Sequence, residues 1–377
     1  MNGTNIRLLW RDRRLCQRLR TGVSLHSHTM HSRESLVFIP RLAAHIPALA
    51  RELERVARRY KQRTGRDLDY RRGYFTPPLP GREALDLERQ QIEELFAIRA
   101  LVSLSDHDNI EAGLRLHASG SADDVPLSVE WTVPLPSTYF HLGIHNLPPR
   151  SAHSIVAGLN SYTRSPSSPL RRELLDMLGG LEETLVVLNH PLWDQADVGS
   201  DRHRAALAEL LAEAGGNVHA LELNGLRPWA ENRAVTEMAR ASGRTLVAGG
   251  DRHGCEPNSV INLTNASSFS EFIQEVRQGA SEIVFLDHYR HPRAVRIIRA
   301  ICDIMGDFPD LAGRERWDDR VHCCRFSDEI VPISELWNGD VPRLVRLFEG
   351  AVRLLRGSGM QRLLRLWFTR DAEFEFD

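Results

Sequence analysis

Lysine is almost missing from this 377-residue chain: Lys61 is the only one, and arginine supplies the rest of the positive charge. Chemistry that needs a lysine, such as a Schiff base or a P-loop phosphate contact, therefore has one candidate, in a charged helical stretch. Catalysis has to come from other residue types. Cysteine is scarce and irregularly spaced: Cys16, Cys255, Cys302, Cys323 and Cys324 are odd in number and lack the CxxC spacing of a zinc knuckle. They read as reduced thiols of a cytoplasmic protein. No stretch is apolar and uncharged for long enough to span a bilayer. The opening residues MNGTNIRLLWRDRRLC contain no uninterrupted apolar core and do not read as a signal peptide. A net charge of −2 gives no global argument for nucleic-acid or membrane binding. No GxGxxG follows the first apolar run, which weighs against a dinucleotide site. There is no internal repeat.

Seven short apolar runs are present: Gly22–Leu25, Ala100–Leu104, Leu127–Val129, Thr138–Leu142, Thr184–Leu188, Val218–Leu223 and Thr245–Ala248. Helical patterns separate several of them, at Gln90–Arg99, Arg171–Leu178, His203–Ala214 and Glu231–Ala241. Buried strands alternating with amphipathic helices predict an α/β fold with a largely parallel sheet. Seven strands suggest a closed or distorted barrel. Residues about 37–99 break the rhythm as a helical insertion, interrupted by the turn Thr76-Pro77-Pro78-Leu79-Pro80-Gly81. Within it, the basic stretch 51–72 also carries Glu52, Glu54, Asp67 and Asp69, and reads as a solvated helix face. Residues 160–170 read as an exposed loop. The boundaries expected are a barrel over 1–290 and a helical extension over 291–377. The arginine-rich stretch Pro342–Phe368 in that extension is expected to pack on the barrel, ahead of a membrane-surface role.

The ends of the apolar runs are where the histidines stand. In chain order they bring His26 and His28, then Asp106-His107-Asp108, Glu130, His141 and His145, Asn189-His190, Glu222, and Asp251-Arg252-His253. Carboxyl ends of parallel barrel strands share one face, so these residues converge if the fold is right. Residues i and i+2 of an extended segment point the same way, so HxH and DxH can each address one metal. Imidazole mixed with carboxylate suits zinc, manganese or iron. There are more ligands than one tetrahedral ion needs, which points to two or three ions.

LHSHT, SLSDHDN, VEWT, FHLGIH, LNHP, LELNG and GGDRHG, taken in order, resemble the motifs of the PHP (polymerase and histidinol phosphatase) superfamily over roughly residues 20–288. The resemblance implies a distorted (β/α)7 barrel with a two- or three-metal site for phosphoester hydrolysis. Carried over, His26, His28, Glu130 and Asp251 hold one ion, and Glu130 bridges to a second completed by His141 and His190. His107 and His253 bind a third. Where the family places an acid or histidine shortly after HxH, this chain reads Thr29-Met30-His31-Ser32-Arg33-Glu34. Glu34 is the candidate ligand, with His31 in reserve. His190, His253 and Asp106 are the expected catalytic residues, Asp106 by fixing a ligand histidine or else as a helix cap. Arg33, Arg252 and Glu222 are the expected substrate contacts, Glu222 also as support to a ligand. His145 is expected to be a loop histidine.

The function expected is a metal-dependent phosphoesterase, with two or three divalent ions (Zn, Mn or Fe), acting on a small phosphorylated metabolite or nucleotide. Metal-activated water would attack phosphorus. A C–N hydrolase of amidohydrolase type and a non-catalytic metal-stabilised interaction module are the alternatives. The carbamylated lysine common in amidohydrolase barrels has only Lys61 to draw on. Nucleic acid is not indicated as a partner, and the oligomeric state is left open.

Overall fold

The computed structural model describes residues 3–11, 18–44, 47–120, 124–311, 314–325, 329–337, 339 and 341–368. Cys16 lies outside them, and the other four cysteines are unpaired. The fold is α/β, with three sheets among the described residues. The first has the order β1 (Gly3–Leu8), β12 (Ala280–Phe285), β11 (Val260–Thr264), β2 (Thr21–Ser24), β5 (Arg99–Val102). The second runs β10 (Thr245–Gly249), β9 (Ala220–Asn224), β8 (Leu185–Asn189), β7 (Tyr139–His145), β6 (Val129–Pro134). A small third sheet runs β14 (Ile330–Pro332), β13 (Val321–Cys324), β4 (Tyr74–Phe75), β3 (Glu34–Ser35).

Strands β2, β8, β9 and β10 are buried along their whole length, as near-continuous apolar strands covered on both faces must be. Helices cover the outside. Ala152–Arg164 buries Ile155, Val156, Leu159 and Tyr162 at helical spacing, with the Tyr162 ring edge-on to Trp131 of β6. Among the described residues no ladder joins the two large sheets. They meet instead through isolated parallel bridges, Ser27 with Arg252 and His107 with Glu130, and through the Gly250 and Asp251 amides donating to Leu25 and His26 carbonyls. Ser27, His107 and Arg252 lie just beyond strand ends, whereas Glu130 is the second residue of β6.

Several expectations need correction. The sheets are not largely parallel, because β7 runs antiparallel to β6 and β8, and β11 to β12 and β2. Strands β1, β11 and β12 add to the seven apolar runs. Residues 160–170 are mostly helical, with helices Ala152–Arg164 and Ser168–Gly179 leaving only a short connection. The 37–99 segment holds helices Phe38–Ala44, Pro47–Thr64 and Gly81–Phe96. The extension after 291 contributes β13 and β14 besides its helices. Val321 pairs with Phe75, which pairs with Glu34, so the extension and the insertion share one sheet beside the candidate site.

Candidate metal centre

Glu130 stands at the middle of a cluster of imidazoles. Its Oε2 lies 3.1 Å from His26 Nε2, 3.3 Å from His28 Nε2 and 3.3 Å from His107 Nε2. Its Oε1 lies 3.4 Å from His141 Nδ1 and 3.3 Å from His190 Nε2. The two oxygens therefore face two different sets of nitrogens, the arrangement a bridging carboxylate requires. Asp251 Oδ1 adds contacts of 3.6 Å to both His26 and His28. Glu34 Oε2 lies 3.1 Å from His253 Nε2 and 3.2 Å from His107 Nε2.

Two donors, each about 2.1 Å from one tetrahedral ion, stand about 3.4 Å apart. The separations here match that spacing. His26 Nε2, His28 Nε2, His141 Nδ1 and Glu130 Oε2 are buried and make no hydrogen bond. Leaving so many buried polar atoms unsatisfied is costly unless something they can coordinate lies among them. The donor set fits divalent transition metal. Among the described residues, four groups of three or more donors are compact enough to hold an ion: His28, Glu34, His107 and His253; His26, His28 and Glu130; His26, His190 and Asp251; His107, Glu130 and His141. These groups overlap and divide the residues differently from the family pattern, with His28 also reaching the Glu34 group and His190 also reaching Asp251.

Backbone and neighbouring side chains fix the donors. His26, His190 and Asp251 all have left-handed backbones, at φ of 63°, 29° and 54°. Non-glycine residues hold that conformation only where the surroundings impose it, and such strain gathers at functional sites. The Nδ1 of His26 is 2.5 Å from Glu222 Oε1, and the His190 amide donates to Glu222 Oε2 at 2.7 Å. Glu222 thus turns the Nε2 of His26 toward the cluster, as carboxylates behind metal-binding histidines do. Asn224 donates to both Glu222 and Asp251, and Asn189 donates to Glu130. Gly249 is required beside them, because a Cβ there would collide with Glu222 Oε1.

The electrostatics are those of a mixed-charge cluster. Burial works against charge on His107 and His253, yet Glu34 and its acidic neighbours hold them up, to about 10 and about 9. His26 is likewise raised by Glu130, Glu222 and Asp251 against burial. Burial prevails at His28 and His141, lowered to about 4. Burial also opposes ionisation of Glu34, Glu130 and Asp251, but the facing histidines pull all three well below the carboxylate range.

Glu34 faces inward and is buried, whereas Arg33 is exposed with its guanidinium 5.0 Å over the Tyr74 ring. Strand alternation places the two neighbours on opposite sides. His31 is not in any of the donor groups found among the described residues. Asp106 accepts hydrogen bonds from the amide and hydroxyl of Thr29, not from a ligand histidine, and burial lifts it to about 6. It fastens the loop after HxH to the end of β5. Arg252 is buried, donating to Glu88 Oε1 at 2.6 Å and to the Gly254 carbonyl, which commits it to structure and away from substrate. His145 is buried beside the Ser103 hydroxyl, at the opposite end of β7 from His141.

Sequence reasoning missed Glu88. It lies fully buried on helix Gly81–Phe96 of the insertion, binding Arg252 and accepting from the hydroxyls of Ser24 and Ser27. The available signal was an acid at i+4 from Ala84 and i−4 from Ile92, on the apolar face of an amphipathic helix.

No family model and no curated protein matches the sequence. Among solved structures, a protein from Bifidobacterium adolescentis described as a metal-dependent phosphoesterase is similar at 14% identity and TM-score 0.35, over 54% of this chain and 92% of that one. An amidohydrolase from Chromobacterium violaceum, with bound sulfate and no metal, is similar at 15% identity and TM-score 0.33, over 47% and 83%. PsfC from Pseudomonas syringae is similar at 15% identity and TM-score 0.36, over 58% and 87%.

Proposed function

We propose that this protein is a metal-dependent phosphoesterase of PHP type, acting on a small phosphorylated metabolite or nucleotide. The observation that carries the reading is the set of orphaned, buried imidazole and carboxylate atoms facing one another around Glu130. The two large sheets, joined at both ends by isolated bridges, are read as a distorted seven-stranded barrel of β2, β5, β6, β7, β8, β9 and β10. Residues 1–290 form that barrel, and 291–377 an extension to it.

His26, His28, His107, His141, His190, His253, Glu34, Glu130 and Asp251 would hold the ions. Bound divalent ions supply Lewis acidity and a water of lowered pKa. The protein's own residues prepare the site. Glu222 orients His26 and the His190 backbone, and Asn189 and Asn224 hold the carboxylates of Glu130 and Asp251 in place. Among the cluster histidines, His107 and His253 keep the largest exposure, at 12% and 17%, so they mark the rim where a substrate enters. The proton for the leaving group is assigned to water at this rim, because His253 turns Nε2 to the cluster and Nδ1 to the Asp251 carbonyl. Lys61 is exposed and paired with Asp67, so no lysine bridges the cluster. This favours phosphoester hydrolysis over the lysine-bridged amidohydrolase chemistry.

The deciding experiment is turnover of phosphomonoester, phosphodiester and amide panels by protein reconstituted with zinc, manganese or iron. Chelator-sensitive phosphate release with at least one ion per chain is expected. Hydrolysis of amides alone, or less than one ion per chain with activity intact, overturns the reading.

A further inference from the structure

We propose that the arginine-rich helices at the end of the chain dock this protein on an anionic lipid surface. Helix Arg343–Arg356 is followed after Gly357 by helix Ser358–Phe368, and both pack against helix Arg293–Ile304. That contact uses one side only. Val352 is buried there, beside the Cys302 thiol. The other side carries Leu347 and Leu354, seven residues apart and each 70% exposed. The second helix continues with Leu363, Leu366 and Trp367 at i, i+3 and i+4, exposed by 59%, 71% and 82%. Apolar residues at this spacing form a stripe, and a large exposed apolar stripe marks an interaction surface.

The charge around the stripe selects the partner. Six arginines and one glutamate lie between Pro342 and Phe368, although the whole chain is net acidic at −2. The glutamate, Glu349, faces inward and accepts from the Trp317 indole at 2.7 Å. Arg343, Arg346, Arg353 and Arg362 are exposed, Arg353 with Asp307 at 3.8 Å. A second copy on this face would oppose two arginine-rich surfaces. Anionic headgroups complement them, leucines enter the acyl boundary, and a terminal tryptophan suits the headgroup level. Among the described residues no helix is long and apolar enough to cross a membrane, and the attachment proposed is peripheral.

Cosedimentation of the full chain with vesicles of equal phosphatidylserine and phosphatidylcholine tests this. Binding is expected at low ionic strength, with release by high salt and none to pure phosphatidylcholine. Leu363→Glu with Trp367→Glu should reduce binding to the phosphatidylcholine level while circular dichroism stays unchanged. Arg346→Gln with Arg353→Gln, both at exposed positions, should weaken it without touching the apolar stripe. Failure to bind at low salt overturns the proposal, as does binding that neither variant lowers. Self-association in ultracentrifugation that the Leu363→Glu pair abolishes, without vesicle binding, assigns the face to a second copy and also overturns it.

Discussion

Replacing Glu222 tests whether the imidazole cluster is a metal site with its supports in place. Glu222→Gln keeps the volume and, with its one oxygen behind His26, exchanges the charged acceptor there for a neutral one, while its NH2 takes the place of the oxygen that receives the His190 amide. Charge-assisted hydrogen bonds are about twice as strong as neutral ones. Loss of a carboxylate behind a metal-binding histidine lowers metal affinity by about 10–100-fold, or roughly 1.4–2.7 kcal/mol. The glutamine should fall near the lower end. Glu222→Ala removes the acceptor behind His26 as well as the one that receives His190 and Asn224, and should approach the upper end. Competition with a chromogenic chelator for the first zinc equivalent gives the affinity directly. Gly249→Ala, whose Cβ meets Glu222 Oε1, should move the affinity the same way without altering any polar group. Glu213→Gln, at the Arg171 pair on the outer helices, is the control and should lower stability alone. Wild-type affinity in both Glu222 variants would refute the reasoning.

Glu34→Ala should reduce metal stoichiometry in elemental analysis and slow turnover while the His26 group retains its ion, since Glu34 contacts His107 and His253 rather than His26. Unchanged stoichiometry would reduce the site to the Glu130 groups. Glu88→Ala leaves the Arg252 guanidinium buried without its partner and should cost about 3–5 kcal/mol in denaturant unfolding; a loss below about 1 kcal/mol would show that the pair is replaceable by water. Chelated protein should lose stability as pH rises from about 6.5 toward 9, because His107 and His253 bind protons more tightly folded than unfolded. The raised folded values make the contribution complete below the unfolded value and lost progressively as pH rises to the folded values of about 9 and about 10. Thermal midpoints of chelated His253→Gln should fall less steeply over that range, and an equal slope would remove His253 as a source.

Much of the site was legible in the chain because metal chemistry restricts residue type. Only histidines and acids serve, and HxH or DxH at a strand end states both the donors and their common direction. His26 with His28 and Asp251 with His253 stood out for that reason, Glu130 as an acid at the end of an apolar run, and Glu34 only through the family resemblance. The apolar runs likewise marked β2, β5 and β8 to β10, whose burial on both faces leaves little choice of composition. Strand direction carried no such mark. Only the tertiary structure decided that β7 runs backwards, which brings His141 to the cluster and sends His145 to the far end. It also decided the roles of Arg252 and Glu88, a guanidinium and a carboxylate 164 residues apart that neutralise each other in the interior. A single charge in sequence shows neither its burial nor its partner. The same holds for Asp106, claimed by Thr29, and for Glu222, which faces His26 across 196 residues. Residue type limits what chemistry a position can perform, whereas the long-range contacts that select one role are made only when the chain folds.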